Sequence, residues 1–98
     1  MTIVSPELQQ QLDRLKDWDV VEGHHLRRIF RFRDFCAALA WVNLAGATCE
    51  AQGHHADFLL RWGSVQVEIF THDTDGLSAA DPRLAIALDA LPQEVGVP

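Results

Sequence analysis

The stretch from Arg33 to Gly53 does most to limit what this chain can fold into. Arg33-Asp34 opens a long alanine-rich segment that runs to about Gln52, and Gly53 is a natural helix stop. Phe35, Leu39, Val42 and Ala45-Gly46 form its predicted inner stripe, and the alanines and Gly46 let it lie close against a sheet. On both sides the period changes from helical to alternating. Leu26, Arg28, Phe30 and Phe32 point one way and Arg27, Ile29 and Arg31 the other, a strand with one largely apolar face whose parity Arg28 and Ile29 break. Val65 to His72 is the cleanest strand, with Val65, Val67 and Ile69 on one side and Gln66, Glu68, Phe70 and His72 on the other. A further strand is expected around Asp57 to Arg61, joined to it by a turn at Trp62-Gly63.

The chain ends supply two more helices. Ser5-Pro6-Glu7 is a helix start, with a hydroxyl cap, a proline in the first turn and an acid favoured by the helix dipole. Leu8, Leu12 and Leu15 follow at helical spacing, and the helix is expected to end near Trp18, before a turn at Glu22-Gly23. After a loop at Asp73–Gly76, Ser78-Ala79-Ala80-Asp81 has the spacing of a capping box with Leu77 as its staple. Leu84, Ile86, Leu88 and Leu91 carry a last helix to Pro92, and the tail QEVGVP is expected to fray. The order helix-strand-strand-helix-strand-strand-helix predicts one α+β domain over residues 1–98: a four-stranded antiparallel sheet with helices packed on one face.

A net charge of -6 argues against a nucleic-acid partner, which calls for a basic face. No apolar run approaches the roughly 18 residues that span a bilayer, so no membrane is implied. The start MTIVSPELQQ lacks the blocks of a signal peptide, and the expected location is cytoplasmic. Cys36 and Cys49 fall on one predicted helix, roughly 20 Å apart at about 1.5 Å per residue, too far for a disulfide. Both are expected to be small buried side chains.

The chemistry gathers in the second half, in Glu50, His54, His55, Trp62, His72 and Asp81. Histidine titrates near neutrality, with an unperturbed pKa of about 6.5, and suits proton transfer. Glu50 lies four residues before His54, so a continuing helical turn would bring carboxylate and imidazole together. Taken alone, His54-His55 reads as two polar residues at a helix C-terminus, and His72 as a structural side chain at a strand end. Asp81 is explained by the capping box, and Trp62 either walls a flat heterocycle or fills a turn. Trp18 and Trp41 share that ambiguity, Trp41 being open between a core and a subunit-contact position. A zinc set from His54, His55, His72 and Glu50 is disfavoured, since there is no HExxH or CxxC and adjacent histidines rarely share one ion. His24 and His25, beside the Gly23 turn, are expected to be solvated.

Together, Glu50, His54-His55, Trp62, His72 and Asp81 carry a spacing that resembles the signature of the pterin-4a-carbinolamine dehydratases. The likeness extends to Phe30, Phe32, Asp34 and Phe35, and to Thr71-His72 with Gly76-Leu77-Ser78, and so covers nearly the whole chain. Ala56 stands where the family usually has proline, Gly53 where many members have an acid, and Ala80 where some have a basic residue. The resemblance implies dehydration of a 4a-hydroxytetrahydropterin to the quinonoid dihydropterin, with no metal or organic cofactor. It implies His54 and His72 as the acid–base pair, His55 binding the pterin or tuning the site, Glu50 orienting an imidazole, Trp62 bordering the ring and Asp81 shaping the pocket. It also implies a homodimer or homotetramer. The alternative is a non-catalytic scaffold of the same fold, such as the family's assembly factors for the RuBisCO large subunit in α-carboxysome bacteria.

Overall fold

The structure, a computed structural model, describes residues 5–93. Its elements are α1 (Pro6–Asp13), β1 (Asp19–Val21), β2 (His25–Arg31), α2 (Phe35–Gln52), β3 (Asp57–Arg61), β4 (Ser64–Ile69), a 3-10 turn (His72–Thr74) and α3 (Ala80–Asp89). The four strands make one antiparallel sheet in the order β1-β2-β4-β3. Since β4 is antiparallel to both of its neighbours, β2 and β3 run parallel on either side of it, with α2 as the crossover between them. This is the two-layer α+β arrangement that the sequence predicts. Apart from Gln93, the tail expected to fray lies outside the described residues.

The helix ends follow local chemistry. Ser5 Oγ accepts the Leu8 N–H at 3.1 Å and caps α1, while Asp34 Oδ1 accepts the Ala37 N–H at 2.9 Å and caps α2. α1 stops at Asp13 rather than near Trp18, and α3 at Asp89 rather than Pro92. β4 ends at Ile69, short of His72: Thr71 pairs instead with Gly76, which closes the loop between them.

The stripe of α2 differs from expectation. Ala37, Ala38, Trp41, Ala45 and Cys49 face the core, whereas Phe35 and Leu39 are 44% and 42% exposed. α2 is apolar around most of its circumference, so periodicity alone does not select the buried face. The small residues let the Trp41 ring enter the core against Phe30, at 4.3 Å between centroids, with Phe32 and Phe58 further out. Cys36 is exposed, a second correction from the same rotation, while Cys49 is buried. Burial, the largest cause, raises the Cys49 thiol pKa.

The parity break at Arg28 also has a cause. Its guanidinium lies 4.1 Å from the Phe30 ring centroid, and its Nη1 donates to Asp89 Oδ1 at 2.6 Å. Asp89 also accepts the Trp18 indole N–H, at 2.9 and 3.0 Å to its two oxygens, which ties the end of α3 to β2 and to the segment after α1.

Candidate active site

The register places the functional segments. Leu26 of β2 is opposite Ile69 of β4, and Glu68 of β4 is opposite Asp57 of β3. The residues before β2, before β3 and after β4 therefore meet at one end of the sheet. His24, His54, His55 and His72 lie in those segments and His25 is the first residue of β2, so all five histidines of the chain gather at that end. Trp62 lies in the β3–β4 turn at the opposite end, 68% exposed and roughly 15 Å away along β3. It lines no site with the histidines of its own protomer.

A chain reversal presents the histidine pair. Gly53 takes up a left-handed conformation (φ 65°), its N–H bonds to Glu50 O at 3.2 Å, and the His54 N–H bonds to Cys49 O at 3.1 Å. This Schellman closure ends α2 and points His54 and His55 in different directions. The expected helical approach of Glu50 to His54 is therefore absent. Glu50 Oε2 meets His55 Nε2 instead, and both side chains are well exposed.

His54 is anchored by a residue 27 positions away. Its Nε2 lies 2.6 Å from Asp81 Oδ1, with the ring mostly buried and Asp81 wholly so. A carboxylate only accepts, so Nε2 carries the hydrogen and Nδ1 is the nitrogen that Asp81 leaves unengaged. Asp81 Oδ2 accepts from the Ser78 N–H at 2.8 Å and from the Thr71 hydroxyl at 2.9 Å. The Ser78 hydroxyl takes the Ala80 N–H at 3.3 Å and bonds Thr71 Oγ1 at 2.6 Å. Asp81 thus keeps the carboxylate half of the capping box while also holding His54 and the residue before His72. The capping spacing identified the first duty and Ser78 as its partner; no sequence signal pointed to the second, or to Thr71 as a partner.

Gly53, His54, His55, Thr71, His72 and Asp73 line a cleft of about 200 Å³. That is less than the ~300–1,000 Å³ usual for small-molecule sites, so it would cover only part of a ligand of that size. A larger groove of about 430 Å³ lies between α1 and α3, lined by Gln11, Arg14, Ala79, Ala80, Pro82, Arg83 and Ile86. It contains no histidine or carboxylate and so no proton-transfer pair. Chemistry, not volume, selects the smaller cleft. His24 and His25 depart from the expectation of solvation: they are partly buried, bonded to each other and, through His24, to Asp75.

An α+β domain with a four-stranded antiparallel sheet and histidines gathered at one end of it is the class the fold defines. The sequence profile described as pterin 4 alpha carbinolamine dehydratase matches residues 2–91. A Rubrobacter xylanophilus protein provisionally named a pterin-4-alpha-carbinolamine dehydratase is 45% identical over 87% of this chain and 79% of its own. One from Alkaliphilus metalliredigens, with the same provisional name, is 42% identical over 87% and 78%. A crystal structure described as a transcriptional coactivator/pterin dehydratase from Brucella melitensis superposes with a TM-score of 0.81 at 26% identity, covering 92% of this chain and 97% of that one. The chain belongs to the pterin-4a-carbinolamine dehydratase family.

Proposed function

We propose that this protein dehydrates a 4a-hydroxytetrahydropterin, such as 4a-hydroxytetrahydrobiopterin, to the quinonoid dihydropterin in the cytoplasm. The observation that carries this reading is the convergence of His54, His55 and His72 on one cleft, with His54 held by buried Asp81. In the reaction the C4a–O bond breaks, a proton joins the departing oxygen, and water leaves. A base removes the N5 proton, whose electron pair closes the C4a=N5 bond. His54 is the base, taking the proton on Nδ1 while Asp81 faces the charge gained by the ring. His72 is the acid, on the more exposed side where water departs. The exposed Glu50–His55 pair grips the polar rim of the pterin. Trp62 joins the site only if a second protomer of a homodimer or homotetramer brings it there.

The test is turnover of freshly generated 4a-hydroxytetrahydropterin by the native chain and by His54→Ala and His72→Ala. General acid–base catalysis is worth about 10²–10⁴-fold, so each variant is expected to lose at least 100-fold. Absence of acceleration over the spontaneous reaction by folded native protein would sink the reading and leave a non-catalytic scaffold.

A further inference from the structure

A second group of imidazoles lies behind His72. His24 Nε2 is 2.9 Å from Asp75 Oδ1, and His24 Nδ1 is 3.1 Å from His25 Nδ1. The His24 ring packs on Phe70 at 4.7 Å, and Phe70 packs on His72 at 4.3 Å. His25 Nε2 faces Glu68 Oε2 at 3.7 Å, and that carboxylate also has Arg27 Nη1 at 3.9 Å and Asp57 opposite it in the ladder. Asp75 takes a left-handed conformation (φ 49°) and closes the 3-10 turn by donating its N–H to His72 O at 3.1 Å. Thus Asp75 and Phe70, the two residues that His24 touches across the gap, both bear directly on His72.

We propose that His24 is a positioning residue for His72. Braced by His25, it holds the His72–Asp75 turn through Asp75 and the His72 ring through Phe70. Asp75 only accepts, so His24 Nε2 carries a hydrogen, and the short contact between the two Nδ1 atoms holds one proton, donated by His25. Among the described residues this group does not form a metal-holding cluster, so the role rests on hydrogen bonding and ring packing.

The kinetic consequence rests on the dehydratase reading; the structural one does not. The experiment compares the native chain with His24→Ala and His24→Gln, recording the His72 ring resonances at one pH, amide exchange of Asp75 and Gly76, and turnover. His24→Ala should shift the His72 ring resonances, speed exchange of the two amides at least tenfold and lower kcat about tenfold with KM nearly unchanged. His24→Gln keeps a donor toward Asp75 and should restore part of the exchange protection. Unchanged His72 ring resonances and unchanged exchange in His24→Ala would overturn the proposal. If the native chain shows no turnover, the dehydratase reading falls, while the resonances and exchange still decide the role of His24.

Discussion

Replacing Asp81 by asparagine tests the structural argument at its centre. The substitution keeps shape but removes charge from a wholly buried group that accepts from three donors. The amide oxygen must stay toward the Ser78 N–H and the Thr71 hydroxyl, because turning it would set NH₂ against a backbone N–H. The NH₂ then faces His54 Nε2, which must become an acceptor, so the ring hydrogen moves to Nδ1. Hydrogen bonds to charged groups contribute ~1.5–3 kcal/mol and neutral ones ~0.5–1.5. Three weakened bonds cost about 3 kcal/mol, and relief from burying a charge offsets about a third of that, leaving a net loss of about 2 kcal/mol. For a domain of this size that lowers Tm by about 8–16 °C. With its proton on the wrong nitrogen, His54 cannot accept through Nδ1, and turnover should fall by about 10²–10⁴-fold. Thermal unfolding followed by circular dichroism, with ¹⁵N spectra of the His54 ring, checks both parts. A Tm within 2 °C of native together with an Nε2–H ring in Asp81→Asn would refute the assignment of Asp81 as the anchor of His54.

Other perturbations follow from the same contacts. Asp89→Ala leaves a largely buried Arg28 guanidinium with only its long contact to exposed Asp17, and the Trp18 indole N–H without its acceptor, and should cost about 2–4 kcal/mol in urea unfolding. Asp17→Ala, at an exposed 3.7 Å contact with the same arginine, should cost under about 0.5 kcal/mol. A thiol reagent should label Cys36 in the folded protein and reach Cys49 only on unfolding, as mass spectrometry of labelled peptides would show. Because the folded Cys49 pKa is raised, the unfolded chain loses that proton first. The contribution to stability is therefore full below the ordinary cysteine range, about pH 8.5, and is lost as pH rises above it. Glu22 is a non-glycine residue at φ 54° in the β1–β2 turn, so Glu22→Gly should raise stability by about 0.5–1 kcal/mol; a lower midpoint of unfolding would contradict this.

The fold was legible wherever a period was unambiguous. Alternation through Val65, Val67 and Ile69 marked β4, and Ser5, Asp34 and Gly53 marked helix ends that the structure keeps. The face of α2 was not legible, since apolar side chains surround it and only the sheet decides that Trp41 goes in and Phe35 stays out. The histidines of the cleft stood out as residue types at fixed spacing, but their partners did not. Glu50 was separated from His54 by the reversal at Gly53, and Asp81 reached His54 by docking of α3, a contact across 27 residues that no local pattern encodes. The Asp75 contact of His24 spans 51 residues and was invisible for the same reason.

The double duty of Asp81 bears on how such a chain can change over generations. A descendant with no use for the reaction would be free to lose the imidazoles of His54 and His72, since only the backbone of either residue takes part in closing a helix or turn. It would still be penalised for losing Asp81, which holds the first turn of α3 through the Ser78 N–H whether or not any chemistry occurs. In this architecture a retained aspartate at that position testifies to an intact helix and says nothing of a living active site. The imidazole across from it is the witness to consult.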